Sequence, residues 1–147
     1  MRRGEPELAH LIGQIDNPAL LILDYEANTP STERLKETLP AFIGIYRSRH
    51  PDVPILVLSQ IRMAREAFDV DAAARRAERG RFQREEVERQ RLAGDDRVHF
   101  FDGTALLGEA DQDCTTDGIH PSDLGYDRIA GRLRPVLAEL LRPIVEA

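Results

Sequence analysis

An aspartate and a histidine stand three residues apart near the end of the chain, in the run Asp117-Gly-Ile-His120-Pro. A turn at this spacing can bring the carboxylate to the imidazole Nδ1–H, which selects the tautomer whose Nε2 is free to act as a general base. Asp117 and His120 are therefore candidate catalytic residues. The same pattern also fits a histidine that only makes a polar contact before a helix.

The loop around this pair is acidic, which raises a metal site as a competing interpretation. Its possible oxygen ligands are Asp111, Asp113, Asp117 and Asp123. In a calcium loop that starts at Asp113, however, the position of the bidentate glutamate is occupied by Leu124. We therefore expect no metal, and nothing in the sequence calls for another cofactor.

Three short apolar runs predict the strands that position these residues. They cover residues 19–24, 54–59 and 97–102. The first two are continuous rather than alternating, as is typical of parallel strands covered by helices on both faces. Each run ends in a polar residue, namely Asp24, Ser59 and Asp102, which places polar groups at the carboxyl ends of the strands, where open α/β sheets bind ligands.

Helical segments lie between the predicted strands, at about residues 5–14, 31–49, 64–92 and 122–141. Their alternation with the strands predicts a three-layer, flavodoxin-like α/β fold with a parallel sheet, in one domain over residues 1–147. Thr29 is the expected N-cap of the second helix, with Pro30 at its first position. Three strands are few for this fold, so the domain looks truncated.

The amino-acid composition of the chain indicates which partners and which cellular location to expect. The chain has 147 residues, a net charge of -6 and a single cysteine, Cys114, so we expect no disulfide, no general nucleic-acid binding and a cytoplasmic protein. No apolar run approaches the roughly 20 residues that a membrane span requires. The arginines of residues 75–91 alternate with glutamates, which predicts a solvated helix with i,i+3 and i,i+4 ion pairs.

The run Asp117-Gly-Ile-His120-Pro-Ser-Asp-Leu-Gly-Tyr126, followed by an amphipathic helix, resembles the last conserved block of the SGNH hydrolases, also called GDSL-type lipases and esterases. The segment Leu20-Leu-Ile-Leu-Asp24-Tyr-Glu-Ala-Asn28 resembles the block that supplies the oxyanion-hole asparagine of that family. There Glu26-Ala27-Asn28-Thr29 stands in place of the usual Gly-x-Asn-Asp. The order of helices and strands agrees over nearly the whole chain.

The resemblance implies a role for each matching residue. His120 would be the general base, Asp117 its orienting carboxylate, and Asn28 an oxyanion donor through its side-chain amide. The implied activity is hydrolysis of a small-molecule carboxylic ester by a Ser-His-Asp mechanism, without a cofactor.

Two blocks of that family are absent from the sequence: the Gly-Asp-Ser-like block of the nucleophile and the following glycine block. No Gly-x-Ser occurs, and only Ser59 lies at the carboxyl end of a predicted strand. We expect Ser59 to hydrogen-bond a loop and the isolated chain to be inactive. The family's strand order leaves the strand at residues 19–24 with an open apolar edge, through which we expect homo-oligomers.

Two interpretations from other classes stay open. The first is a non-catalytic flavodoxin-like binding module in which Asp24, Asn28, Asp117 and His120 line a pocket at the sheet rim. The second is a phosphoacceptor domain built on Asp24, although Lys36 is the only lysine and does not follow a later strand.

Overall fold

The computed structural model describes residues 4–145, which contain three parallel strands and four α-helices in alternation. The strands are β1 (Leu21–Leu23), β2 (Ile55–Leu58) and β3 (Val98–Phe101). The helices are α1 (Pro6–Ile12), α2 (Thr32–Arg47), α3 (Val70–Leu92) and α4 (Asp123–Val145). The predicted α/β class and the element order are confirmed.

The strands are adjacent in sequence order, β1-β2-β3, and both pairs are parallel. Leu21 aligns with Ile55, and Ile55 with Val98. One face of the sheet packs on α2 through buried Leu35, Phe42 and their neighbours, with α1 and α3 alongside. The other face, which includes Leu56 and Leu58, packs on α4. The sheet is thus covered by helices on both faces, as predicted from its continuous apolar strands.

The start of α2 differs from the prediction. Ser31, not Thr29, is the N-cap, and its Oγ accepts a hydrogen bond from the backbone N–H of Arg34 at 3.1 Å. Thr29 is buried and its hydroxyl donates to the carbonyl of Tyr25 instead. Thr29 and Ser31 both have hydroxyl side chains that can cap a helix, and the contact of Thr29 with Tyr25 leaves the cap to Ser31.

The helix predicted over residues 64–92 is divided. A short 3-10 turn, Ala64–Ala67, is followed by a break, and α3 begins after Asp69, whose carboxylate accepts a hydrogen bond from the N–H of Ala72 at 2.9 Å. Asp69 has extended backbone angles and is a favourable N-cap residue.

The expectation of ion pairs along residues 75–91 holds for one pair only among the described residues, Glu86 with Arg89. Arg76 instead pairs with Glu66 of the preceding 3-10 turn at 2.7 Å. Arg79 donates to the carbonyl oxygen of Glu26, after β1, at 3.2 Å. Arg76 and Arg79, in the first half of this helix, therefore contact other parts of the fold and not glutamates of their own helix.

Candidate active site

The predicted pair, Asp117 and His120, is joined by a short hydrogen bond. The ring Nδ1 of His120 lies 2.7 Å from Oδ2 of Asp117. The other carboxylate oxygen, Oδ1, accepts hydrogen bonds from the backbone N–H of His120 at 2.8 Å and of Ile119 at 2.9 Å. Hydrogen bonds from the His120 backbone, the His120 ring and the Ile119 backbone lower the pKa of the Asp117 carboxyl to about 2.

The imidazole of His120 is open to solvent, with 74% of its side-chain surface exposed. Its Nε2 has no hydrogen-bond partner among residues 4–145. An ionised carboxylate on Nδ1 favours the tautomer that carries the proton there, which leaves the lone pair on Nε2. The arrangement can accept a proton from a group that approaches Nε2.

The turn that carries this pair is closed by backbone hydrogen bonds at both ends. The N–H of Thr116 donates to the carbonyl of His120 at 2.9 Å, and the N–H of Ser122 donates to the carbonyl of Cys114 at 2.8 Å. Gly118 lies at its tip with φ +82°, a conformation that favours glycine. A Cβ at Gly118 would also lie 2.9 Å from the Cβ of Ala64, so glycine is required for this close approach.

Asn28 ends a 3-10 turn, Glu26–Asn28, directly beyond β1. Its backbone N–H donates to the carbonyl of Tyr25 at 3.0 Å, while its side chain is exposed and makes no hydrogen bond to another described residue. The amide of Asn28 is therefore available as a donor at the carboxyl rim of the sheet, where the resemblance placed it.

Glu26 is a residue whose importance the sequence did not reveal. It is only 2% exposed, yet its Oε2 accepts hydrogen bonds from the N–H of Gln60 at 2.8 Å and from the side chain of Gln83. Its Oε1 is buried and has no hydrogen-bond partner among the described residues. Burial raises the pKa of the Glu26 carboxyl, although those two hydrogen bonds and nearby Arg79 oppose the shift.

One segment connects the turn of Asn28 with the turn of His120. The N–H of Gln60, directly after β2, donates to Glu26, and the N–H of Ala64 donates to the carbonyl of Gly118 at 2.8 Å. Residues 60–64 are thus hydrogen-bonded to Glu26, two residues before Asn28, and to Gly118, two residues before His120. This is the topology that the carboxyl ends of adjacent parallel strands produce.

Comparison with known proteins identifies this architecture. The sequence pattern of the GDSL-like lipase/acylhydrolase family matches residues 2–138. The chain belongs to this family. A search of curated proteins found no match.

Three solved structures share the fold of this chain. A protein from Bacteroides ovatus described as a GDSL-like lipase is 28% identical with a TM-score of 0.86, over 95% of this chain and 41% of that protein. The salicylyl-acyltransferase SsfX3 from a tetracycline biosynthetic pathway is 23% identical with a TM-score of 0.81, over 95% and 42%. An acetyl esterase mutant with an acetate ion is 18% identical with a TM-score of 0.68, over 92% and 69%. This chain thus spans about two fifths of the length of the first two.

The hydroxyls of the four serines in this GDSL-like chain are all engaged in structural hydrogen bonds. Ser59, 5% exposed, accepts from the N–H of Gly103 at 2.9 Å and so ties the end of β2 to the loop after β3. The other three bonds are Ser31 with Arg34, Ser48 with Ile45, and Ser122 with Gly125. None of them lies in a Gly-x-Ser sequence.

The acidic loop before Asp117 and His120 is tied to α4. Asp111 is 5% exposed, and its carboxylate accepts hydrogen bonds from Arg128 at 2.7 Å and from Arg132 at 2.6 Å. Hydrogen bonds from Arg132, from the backbone of Gly108 and from Arg128 hold the pKa of Asp111 well below its usual range. Asp111 therefore anchors the acidic loop to α4.

The described residues contain no group of three or more acidic, histidine or cysteine side chains placed to hold a metal ion. None of the described helices is long and apolar enough to cross a membrane.

Proposed function

We propose that this chain supplies the general base, its orienting carboxylate and an oxyanion donor to an esterase or acylhydrolase site of the GDSL type, acting on a small-molecule carboxylic ester. The observation that carries the proposal is the 2.7 Å hydrogen bond between Asp117 and the Nδ1 of a His120 ring that is 74% exposed. A histidine held only for structural reasons does not need a free, solvent-facing Nε2.

The attacking hydroxyl belongs, on this proposal, to a serine outside the 147 residues, because each serine within them has a structural partner and none lies in the family's nucleophile motif. His120 Nε2 takes the proton of that hydroxyl as its oxygen attacks the ester carbonyl carbon. The resulting imidazolium gives the proton to the departing alkoxide, and an acyl-enzyme remains. A water molecule then attacks the acyl-enzyme by the same route and releases the acid.

The side-chain amide of Asn28 donates to the carbonyl oxygen as it becomes an oxyanion. One such preorganised donor contributes roughly 2.7–4 kcal/mol to the lowering of the barrier. Support comes from the exposed position of Asn28 at the end of β1, and from the segment 60–64 that bonds to both site turns.

The test is hydrolysis of p-nitrophenyl acetate by this chain alone and by the native product of its coding region, whose length is established by intact mass. We expect background hydrolysis by the chain alone. We expect turnover by a native product that carries an upstream serine block, and loss of that turnover in His120→Ala.

Each other outcome has a defined meaning. Robust, His120-dependent hydrolysis by the chain alone would refute the external serine. Turnover by the native product that survives His120→Ala would refute the role of His120. A native product that ends at these 147 residues and does not hydrolyse the ester would favour the second candidate, a non-catalytic binding module, for which the engagement of all four serines is the supporting observation.

A further inference from the structure

A polar pocket of about 240 Å³ lies beside the turn of Asn28. Ala27 and Thr29, the two neighbours of Asn28, both line it. Met63 and Arg65, the two neighbours of the Ala64 that bonds to the His120 turn, line it as well. The pocket therefore lies against the one segment that holds both halves of the proposed site.

Three arginines of α3 line this pocket because of their helical spacing. Arg75, Arg76 and Arg79 stand at i+3, i+4 and i+7 from Ala72, so they share one face of the helix. Ala72 is buried and lines the pocket in their midst, and its small side chain leaves room in front of them. Arg65 completes the basic set from the 3-10 turn.

Two of these arginines already have fixed partners. Arg76 pairs with the buried Glu66 at 2.7 Å. Arg79 donates to the carbonyl of Glu26 at 3.2 Å and to the hydroxyl of Thr32 at 3.4 Å, neither of which carries charge. Their guanidinium groups are thereby held in place, and the charge of Arg79 is not neutralised by a direct ion pair.

The other two arginines have no acidic partner. Arg65 and Arg75 are exposed and form no ion pair or side-chain hydrogen bond with any described residue. Four arginines and one glutamate line the pocket, which is a local excess of positive charge in a chain whose net charge is -6.

Most of the other acidic groups nearby have partners of their own, and the exposed Asp71, four residues before Arg75, forms no ion pair with a described residue. Asp69 caps α3, and Glu78 pairs with Lys36. Glu26 is buried, and its carboxylate oxygen is directed to Gln60 and Gln83. None of these acids is paired with Arg65 or Arg75.

We propose that this pocket is an oxyanion-binding subsite, so that the ester substrate carries a compact anionic group, a phosphate or a carboxylate, close to the bond that is cleaved. Guanidinium groups bind both anions through paired, charge-assisted hydrogen bonds. The assignment of the anion to a substrate rests on the proposed function. The anion-binding property of the pocket does not depend on it.

The experiment is a calorimetric and amide-NMR titration of this chain, at constant ionic strength, with inorganic phosphate in one arm and acetate in the other. We expect saturable binding of at least one anion, with shifts at the amides of Ala27, Gln60 and Ala72. The anion with the lower Kd, phosphate or acetate, identifies the kind of group that the pocket binds. In Arg75→Gln we expect a rise in Kd of about tenfold, the size of one lost charge-assisted hydrogen bond, and a larger rise in Arg65→Gln/Arg75→Gln.

Arg134→Gln is the matched control, because Arg134 is exposed on α4 and forms no ion pair or side-chain hydrogen bond with a described residue. It removes the same charge from another face and should leave the Kd unchanged. Absence of saturable binding in both arms overturns the proposal, and so does an equal loss of affinity in Arg134→Gln and Arg75→Gln. The three mutated arginines, Arg65, Arg75 and Arg134, are all exposed, so a change in folding is not expected, and a matching thermal midpoint verifies this.

Failure of the subsite and failure of the catalytic proposal can be told apart. His120→Ala should leave the anion titration unchanged, since His120 does not line the pocket. Anion binding without any His120-dependent hydrolysis would refute only the catalytic proposal. Hydrolysis by the native product without anion binding would refute only the proposal of an anion-binding subsite.

Discussion

Asp117 holds both the ring and the backbone of His120, one with each carboxylate oxygen. Oδ2 lies 2.7 Å from the ring Nδ1, and Oδ1 lies 2.8 Å from the backbone N of the same residue. A single carboxylate therefore fixes the position of the Cα and the rotation of the imidazole together. The constraint is local, because both hydrogen bonds close within four residues of the chain.

The first prediction concerns the ionisation of Asp117. Its three hydrogen bonds lower the carboxyl pKa to about 2, below the unfolded value near 4. The stabilisation of the turn is therefore fully present above about pH 4 and is lost as the pH falls through about 2. Carbon-detected NMR of the side-chain carboxyl should show this low midpoint. His120→Ala removes only the ring bond and should move the midpoint part of the way up, whereas a wild-type midpoint near 4 would contradict the hydrogen-bond geometry.

The second prediction concerns the anchor of α4. Asp111→Ala removes the buried carboxylate that Arg128 and Arg132 share. Among the described residues, Arg128 then keeps only Asp113 at 3.6 Å, and Arg132 only the carbonyl of Leu106, so we expect a loss of about 3 kcal/mol in the free energy of unfolding, measured in urea. Glu109→Ala is the control. Glu109 pairs with Arg62 but its side chain is 80% exposed, so its loss should cost less than about 1 kcal/mol. Equal losses would show that Asp111 is not an anchor.

A pair of glycines in α4 gives the third prediction. A Cβ at Gly125 would lie 2.1 Å from the carbonyl oxygen of Cys114, whereas a Cβ at Gly131 would meet no atom within 4 Å. Gly125→Ala should therefore destabilise the protein by about 2 kcal/mol or more, since α4 must move away from the site loop. Gly131→Ala should stabilise it by up to about 1 kcal/mol, because alanine favours a helix. Thermal unfolding of both variants decides, and similar midpoints would contradict the close contact at Gly125.

The fourth prediction concerns the edge of the sheet. Among the described residues, β1 pairs only with β2, so its other edge is open, and Leu21–Leu23 carry no charge or proline to block association. We propose that the isolated chain dimerises or aggregates there, which sedimentation velocity will show. Ala19→Lys, next to the strand, should reduce the association, and Ala93→Lys, at the end of α3, should not. A monodisperse wild-type monomer would rule the proposal out.

The elements and the hydrogen bond between Asp117 and His120 could be predicted from the sequence because their causes are local. Short apolar runs predicted the three strands, and the spacing of Asp117 and His120 predicted a bond that closes within four residues. The N-cap at Ser31 could not be chosen over Thr29 from propensity, since both side chains can cap a helix. The burial of Thr29 against Tyr25 decided it.

The interactions that the sequence did not predict all join distant segments. The arginine-rich helix was expected to pair with its own glutamates, but Arg76 and Arg79 reach residues 10 and 53 positions away. Glu26 was noted only as a departure from a family pattern. Its burial follows from Gln60 and Gln83, which the fold brings against it. Such contacts depend on how distant segments pack against each other, which no local pattern encodes.

The tautomer of His120 tests the central claim most directly, because it can be measured in this chain without a nucleophile. A long-range ¹H–¹⁵N correlation spectrum of the neutral ring, recorded for wild type and Asp117→Asn, reports which nitrogen carries the proton. We predict a protonated Nδ1 and a bare Nε2 in the wild type, and loss of that preference in Asp117→Asn. A wild-type ring that is protonated on Nε2 would contradict the claim that Asp117 prepares His120 to act as a base.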